Sequence, residues 1–189
     1  GLAEWEPDFV TRREHILPSM LCGASITEMT GIVSRRTVYC AADASSTHSL
    51  VRFDDADGNI LFVPTMHSAD STGKCSVCKA PADLERGPSR ENHAYSFIHD
   101  AYPPQEMSTM KFDVIVGNPP YHLDDGGYGK SATTLYHLFV DQARALNPRY
   151  MTMIIPSRWF AGGKGLDKFR DSMLSDKRFR SITDYLSAA

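Results

Sequence analysis

The sequence of 189 residues lacks several features that would each indicate a class of protein. No apolar run approaches the roughly 20 residues that a membrane-spanning helix needs, so we expect no membrane span. The first residues, GLAEWEPDFV, lack the charged, apolar and small-residue regions of a signal peptide, and we therefore expect a cytoplasmic protein. The formal net charge is −3, which argues against a protein that coats nucleic acid by charge alone but allows a local basic face.

Cysteine is scarce, and without a secretion signal the four cysteines are not expected to form a disulfide framework. Two of them form the stretch Cys75-Ser76-Val77-Cys78, whose two-residue spacing is that of a zinc knuckle. We predict that this pair binds a structural zinc ion together with two further residues. The predicted ligands are Cys40, His67, Cys75 and Cys78, with Cys22 or His48 as alternatives to His67.

The same cysteine pair has two other interpretations, a redox pair and unligated thiols. A redox pair usually opens a helix, whereas Cys75 and Cys78 precede a polar segment that contains proline. A closed site with four ligands would be structural rather than catalytic. Its use would be to fold a small insert that lacks a core of its own.

The sequence divides into three parts by its character. We predict a helical or irregular segment over 1–36, a zinc-ribbon-like insert with a linker over 37–92, and the catalytic part over 93–189. Within the first part, 9–21 has helical spacing that Pro18 interrupts. Within the insert, short strands at 51–53 and 60–63 flank a turn rich in Asp, Gly and Asn, which predicts a hairpin.

From residue 110 the pattern is that of an α/β protein. A short apolar run at 112–117 predicts a buried strand that Gly117 ends, and 151–155 predicts a second one. Amphipathic helices are predicted at 131–146 and 164–175, and a last short strand at 181–185. Strands that alternate with helices predict a partial Rossmann-like sheet of parallel strands with crossover helices.

The motif Asn118-Pro119-Pro120-Tyr121 comes directly after the first of these strands, where open α/β sheets bind their ligands. Its two prolines fix the backbone and remove two N–H donors, so the loop is stiff. The Asn118 side chain and the Pro119 carbonyl are two acceptors, and together they suit an exocyclic amine with two hydrogens. Tyr121 adds an aromatic face for stacking. The alternative interpretation is a rigid turn after a strand.

An adenine amine matches this loop chemically. Its lone pair is delocalised into the ring, and accepting both hydrogens favours the pyramidal form in which the lone pair can attack a methyl group. The base must leave the duplex to reach such a pocket, which costs a few kcal/mol that stacking on an aromatic ring helps to offset.

The stretch KFDVIVGNPPY, from Lys111 to Tyr121, resembles the catalytic motif of the N6-adenine DNA methyltransferases. The helix at 136–139 and the segment 154–160 resemble restriction–modification adenine methylases, so the resemblance covers about 110–186. It implies S-adenosylmethionine as methyl donor and double-stranded DNA as substrate. It also implies that the Asn118 to Tyr121 motif holds the target adenine.

One feature of the family is missing from the sequence, the Gly-rich loop that comes after a first strand and cradles the donor. In this family the loop would lie before residue 1, so we expect a fragment that is inactive alone. The full-length protein would then add the remaining methyltransferase residues, a target-recognition domain and in some relatives a nuclease.

Basic residues come after the second predicted strand, and Arg158, Lys164 and Lys168 are predicted to contact DNA phosphates. Trp159 and Phe160 lie among them and could stack on bases. The alternative is a solvated helix face with two core aromatics. The stretch 126–130 (GGYGK) is predicted to be a mobile loop near the flipped base.

Two other functions remain open at this point. A protein glutamine methyltransferase would use the same motif, since a side-chain amide also offers two hydrogens. The other is a zinc-containing DNA-binding module whose methylase pocket is vestigial. The zinc-like insert and the segment 156–160 favour DNA as the substrate over protein.

Overall fold

The computed structural model describes residues 1–81, 95–99, 110–122 and 133–185. These residues belong to two compact units, one with 1–67 and 95–99 and the other with 68–81, 110–122 and 133–185. The three parts predicted from the sequence, with boundaries at 37 and 93, were defined by composition and pattern, and these boundaries stay a prediction. No helix in the described ranges is long and apolar enough to span a membrane.

The first unit combines helices with a small parallel sheet. Its helices are α1 (Leu2–Trp5), α2 (Phe9–Ser19) and α3 (Glu28–Tyr39), and Ser96–Ile98 forms a 3-10 turn. Strands β1 (Gly23–Ala24) and β2 (Ile60–Leu61) pair in parallel, with Gly23 opposite Ile60. Helix α3 begins at the side chain of Thr27, which accepts a hydrogen bond from the Thr30 amide.

A buried arginine holds the irregular stretch 40–59 against α3. The Arg35 guanidinium bonds the carbonyls of Ala42 and Ile60 and forms an ion pair with Asp57 at 2.7 Å. A buried charge is tolerated only when it is paired and hydrogen-bonded, and Arg35 meets both conditions. The Tyr39 hydroxyl adds an acceptor for the amide of Asn59 at 3.2 Å. The stretch is therefore ordered by side-chain contacts rather than by strand pairing.

This arrangement replaces the hairpin that the sequence predicts, and that prediction is wrong. Residues 51–53 form no strand, because the Phe53 amide bonds the carbonyl of Ala44 and its ring packs on Tyr39. The second predicted strand shortens to Ile60–Leu61, and its partner is β1. Pro18 lies inside α2 and does not interrupt it before Ser19.

Gly58 is tightly packed and has a φ of +54°. A Cβ there would lie 3.1 Å from atoms of Ala44 and Tyr39 and 3.2 Å from Phe53. We expect Gly58→Ala to lower the free energy of unfolding by about 2 to 4 kcal/mol, because strain and overpacking add. Chemical denaturation measures it.

The matched control for that variant is Gly73→Ala. Gly73 also has a positive φ, +72°, but a Cβ there has nothing within 4 Å. Gly73→Ala should lower the free energy of unfolding only by the cost of the left-handed backbone conformation, about 1 to 2 kcal/mol. Equal losses in the two variants would contradict the proposed packing around Gly58.

The second unit contains the predicted strand–helix–strand arrangement, which the structure confirms in outline. Strands β3 (Val114–Gly117) and β4 (Tyr150–Met153) pair in parallel, and α4 (Tyr136–Ala145) lies between them in the chain. A 3-10 helix, Ser157–Ala161, comes after β4 and leads to α5 (Asp167–Ser175). Mixed helices and small parallel sheets are compatible with an α/β methyltransferase.

One apolar core holds α4, the 3-10 helix and α5 together. Its buried residues are Tyr136, Val140, Trp159, Leu166, Phe169 and Met173. Met153 and Ile155 reach it from β4 and the residues after it, so one face of the sheet packs on this core. Arg144 of α4 also bonds Ser172 and Asp176, which fastens the end of α4 to α5.

Several predictions for this unit need correction. The strand predicted at 112–117 is half-buried on one face and exposed on the other, since Ile115 is partly covered whereas Val114 and Val116 are exposed. Residues 181–185 form no strand, and they are exposed throughout. The helices begin at Tyr136 and Asp167, later than predicted, and residues 131–132 lie outside the described part.

Candidate active site and metal centre

The Asn118-Pro119-Pro120-Tyr121 loop begins directly at the carboxyl end of β3. Gly117 is the last strand residue, and its carbonyl accepts a hydrogen bond from the Ile154 amide at 3.0 Å. Because β3 and β4 are parallel, the loop and the segment after β4 leave the sheet at the same edge. This edge is where open α/β sheets place their ligand sites.

The loop is anchored at both ends. After the motif, the Leu135 amide donates to the Tyr121 carbonyl at 3.0 Å, and His122 and Thr134 form an antiparallel bridge. Pro119 is buried, which seats the middle of the loop against the protein. The side chains of Asn118 and Tyr121 are thus displayed on a fixed backbone.

Asn118 and Tyr121 lie together on the exposed side of this loop. The Tyr121 hydroxyl donates to Oδ1 of Asn118 at 3.2 Å, so amide and ring are held beside each other. Tyr121 is 39% exposed, which leaves part of its ring available for stacking. The amide oxygen has two lone pairs and can accept a second hydrogen. The sites that were predicted for an amine and for a flat ring are therefore adjacent.

The predicted DNA contacts are exposed cations that come after β4. Arg158 lies in the 3-10 helix, Lys164 in the turn before α5, and Lys168 in its first turn. In the part of the chain that the structure describes, none of the three forms an ion pair. Their role in DNA binding stays a prediction.

The aromatics among these cations separate into two environments. Trp159 is buried in the core, so it is a packing residue rather than a platform for bases. Phe160 is exposed beside it, with ring centroids 4.5 Å apart. The predicted glycine-rich loop at 126–130 lies outside the described residues.

Four residues form a group that could hold a metal ion: His67, Cys75, Cys78 and His99. One ligand atom from each lies within 4.8 Å of the others. In a tetrahedral zinc site the ligand atoms lie roughly 3.3 to 3.8 Å apart, a spacing that results from bonds of about 2.0 to 2.3 Å. Two thiols and two imidazoles are a common donor set for structural zinc, so the group fits this ion.

The ring of His99 is already oriented as a ligand would be. Its Nδ1 lies 2.8 Å from the Tyr95 carbonyl, and since a carbonyl only accepts, Nδ1 carries the proton. Nε2 is then the ring nitrogen that carries the lone pair. Metal-binding histidines typically donate their other N–H to a backbone carbonyl in this way.

The two cysteines sit in a tight turn. The Lys79 amide donates to the Cys75 carbonyl at 3.0 Å, and the Cys75 amide donates to the Ala80 carbonyl at 2.7 Å. Lys79 closes the turn at a φ of +61°. Both thiols are buried, and burial raises the pKa of Cys78 to about 11 in the absence of a cation. A bound divalent ion would supply the charge that stabilises the thiolates.

The predicted ligand set differs from this group at one position. Cys40 is absent from the group and His99 is present. Cys40 ends α3 in the left-handed conformation, and the turn leaves it exposed at the start of the stretch 40–59. The alternatives Cys22 and His48 are likewise outside the group.

The zinc-ribbon-like fold around the cysteines is not confirmed. Around the turn the structure has isolated antiparallel bridges, Ala69 with Cys75 and Lys74 with Pro81, rather than strands. Only a weak sequence signal could have identified His99, namely a histidine about twenty residues after a CxxC motif. His93 lies nearby and has the same signal.

A rigid loop with exposed polar side chains at the carboxyl edge of a parallel sheet is compatible with the ligand site of an α/β enzyme. Comparison with known families makes this specific. Residues 19–189 match the family described as Eco57I restriction-modification methylase, and the chain belongs to that family.

A curated relative supports the same assignment. It is an uncharacterised adenine-specific methylase of Mycoplasma pneumoniae, 29% identical over 212 aligned residues. The alignment covers 100% of this chain and 50% of the relative, so the chain spans about half the length of that protein. No solved structure matches the chain.

Proposed function

We propose that this chain is the adenine-binding part of a DNA methyltransferase that acts in restriction–modification or phage defence. The observation that carries the proposal is the pairing of Asn118 and Tyr121 on a fixed loop at the end of β3. S-adenosylmethionine supplies the electrophilic methyl group when it is bound. Among the described residues no Gly-rich turn comes after a strand to hold this donor, and we place its main site in another part of the full-length protein.

The loop would receive an adenine that has left the duplex. Oδ1 of Asn118 and the Pro119 carbonyl accept the two hydrogens of the N6 amine, which frees the nitrogen lone pair for attack on the methyl carbon. Tyr121 stacks on the base and keeps the amine in the plane of the acceptors. When the methyl group is transferred, the donor would leave as a thioether, and the nitrogen would then lose its extra proton to solvent, so the loop needs no strong base.

The cations after β4 and the metal group would serve this chemistry indirectly. Arg158, Lys164 and Lys168 carry positive charge on exposed surface of the second unit, where they could bind phosphates. The two histidines and two cysteines would hold zinc in a structural role, because a site closed by four protein ligands leaves no position for a substrate.

The experiment that tests the proposal uses the full-length protein, double-stranded DNA and a donor with a tritiated methyl group. We expect label in the DNA, recovered as N6-methyladenine after digestion to nucleosides. Label that appears only on protein would instead identify a glutamine methyltransferase. DNA binding without any label would identify a module with a vestigial pocket, and both results contradict the proposal.

A further inference from the structure

Phe160 is an exposed aromatic residue on the segment that comes after β4. It is 41% exposed, although Trp159 beside it is buried in the core. A single exposed apolar side chain is common on protein surfaces and carries no meaning by itself. The support of Phe160, its place in the fold and its charged neighbours are what together point to a ligand.

Phe160 is held in place through both its backbone and its ring. Its carbonyl accepts a hydrogen bond from Nε of Arg170 at 2.9 Å, which fastens the 3-10 helix to α5. The Trp159 ring lies behind it, with the two ring centroids 4.5 Å apart. Trp159 in turn packs edge-on against Phe169 of α5, with centroids 6.0 Å apart. Phe160 is therefore an exposed ring on a firm support.

The segment that carries Phe160 leaves the sheet at the same edge as the Asn118 to Tyr121 loop. Strands β3 and β4 are parallel, and the Ile154 amide donates to the Gly117 carbonyl where both strands end. A partner that places one of its groups in the loop must therefore pass close to the segment after β4. Phe160 belongs to the surface that such a partner meets.

Cations lie on both sides of Phe160 in the chain. Arg158 comes before it and Lys164 after it, and neither forms an ion pair within the ranges that the structure describes. Exposed cations on a DNA-binding surface contact phosphates. A ring between two phosphate contacts faces the stacked bases, and phenylalanine is among the side chains that proteins insert between base steps.

We propose that Phe160 inserts into the DNA duplex and fills the space that the target adenine leaves when it enters the loop. The inference rests on the proposed function, because it requires a base that leaves the duplex. Leaving the stack is unfavourable, since the base loses its pairing partner and its stacked neighbours. The ring of Phe160 would replace part of the lost stacking and so keep the adenine at Asn118 and Tyr121.

The test measures single-turnover methyl transfer by the full-length protein on a duplex that contains the sequence it methylates. Phe160→Ala should lower the rate roughly 5- to 150-fold, the range expected for the loss of one contact between an aromatic ring and a base. Its Tm should change by less than about 4 °C, because the ring is exposed. Phe179→Ala is the matched control and should leave the rate unchanged. Phe179 is 43% exposed but comes after α5, and its neighbour Arg178 is paired with Asp176.

A second duplex separates insertion from other roles of the ring. It carries a pyrene nucleotide opposite the target adenine, and this flat ring system is about as large as a base pair and fills the gap itself. On this duplex the rate of Phe160→Ala should lie within about 2-fold of the wild-type rate, since the adenine is already held out of the stack. Tyr121→Ala should not be rescued, because Tyr121 acts on the base inside the loop. Phe160→Leu keeps an apolar side chain and should lose less than Phe160→Ala on the paired duplex.

The outcomes distinguish the insertion from the proposed function. Equal losses of Phe160→Ala on the two duplexes would mean that the ring does not fill the gap, and the proposal would be overturned. A Phe160→Ala rate on the paired duplex that equals the rate of Phe179→Ala would overturn it as well. A wild-type protein that methylates DNA while either result holds contradicts the insertion alone. A wild-type protein that labels no DNA contradicts the proposed function, and the insertion with it.

Discussion

Replacing Asn118 by alanine should lower methyl transfer by the full-length protein at least about 100-fold, the usual effect of removing one preorganised polar group from a reacting centre. The amide oxygen is one of two acceptors for the amine hydrogens, and Pro119 supplies the other through its backbone. Single-turnover transfer of tritiated methyl to DNA measures the rate. The Tm should stay the same, because the Asn118 side chain is exposed and its Oδ1 bonds only Tyr121 among the described residues.

Two further variants separate the acceptor from the amide as a whole. Asn118→Asp keeps an oxygen acceptor and should retain more activity than Asn118→Ala. Ser175→Ala, at an exposed position of α5, should leave the rate unchanged. If Asn118→Ala transfers methyl groups as fast as the wild-type protein, this loop is not the site of the reaction.

Tyr121 allows stacking to be distinguished from the hydrogen bond to Asn118. Tyr121→Ala removes both, and we expect a loss of roughly 5- to 150-fold, since stacking on one base contributes about 1 to 3 kcal/mol. Tyr121→Phe keeps the ring and should lose only a few-fold. Fluorescence of 2-aminopurine at the target position reports base flipping for each variant. Equal losses for the two variants would mean that the hydroxyl, and not the ring, is what matters.

The part of the site that could be predicted from the sequence is the part that depends on residues close together in the chain. A short β-branched run that ends at Gly117 forms a strand in many settings, and the next residue then emerges at the carboxyl end. Two prolines stiffen the loop after that strand without any help from the rest of the fold. The positions of Asn118 and Tyr121 result from these local facts, whereas the parallel pairing with β4 was predicted from the alternation of strands and helices along the chain.

Burial of that strand could not be predicted in the same way. A run such as Val114-Ile115-Val116 is apolar on both faces, and the sequence does not say whether each face finds a partner within the chain. The structure covers Ile115 in part and leaves the two valines exposed. The sequence pattern therefore predicts that both faces of the strand are apolar. It does not predict which part of the protein covers the second face.

The stretch 40–59 departed from prediction for a different reason. Its pattern of two apolar runs around a Gly-Asn turn is typical of a hairpin. In the structure a buried Arg35 and the hydroxyl of Tyr39, both on α3, bond the backbone of this stretch and of Ile60. These are contacts between residues up to 25 positions apart, and no local rule anticipates them.

The metal group also depends on contacts that no local rule anticipates. Replacing one of its ligands is the second change for which we expect a large effect. We expect the purified protein to contain about one equivalent of zinc, and His99→Ala to reduce it below about half. The Tm of this variant should fall by more than about 5 °C, because zinc binding in such sites contributes directly to folding. Zinc is measured by elemental analysis on folded, gel-filtered protein.

The decisive comparison is between His99→Ala and Cys40→Ser. The sequence alone places Cys40 among the ligands, whereas the structure leaves it exposed at the end of α3 and puts His99 in the group. We therefore expect Cys40→Ser to retain its zinc and its Tm, and Cys78→Ser to behave like His99→Ala. Zinc lost from Cys40→Ser and retained by His99→Ala would reverse this assignment. Wild-type protein that is folded and free of zinc would remove the metal centre altogether and leave the buried cysteines as packing residues.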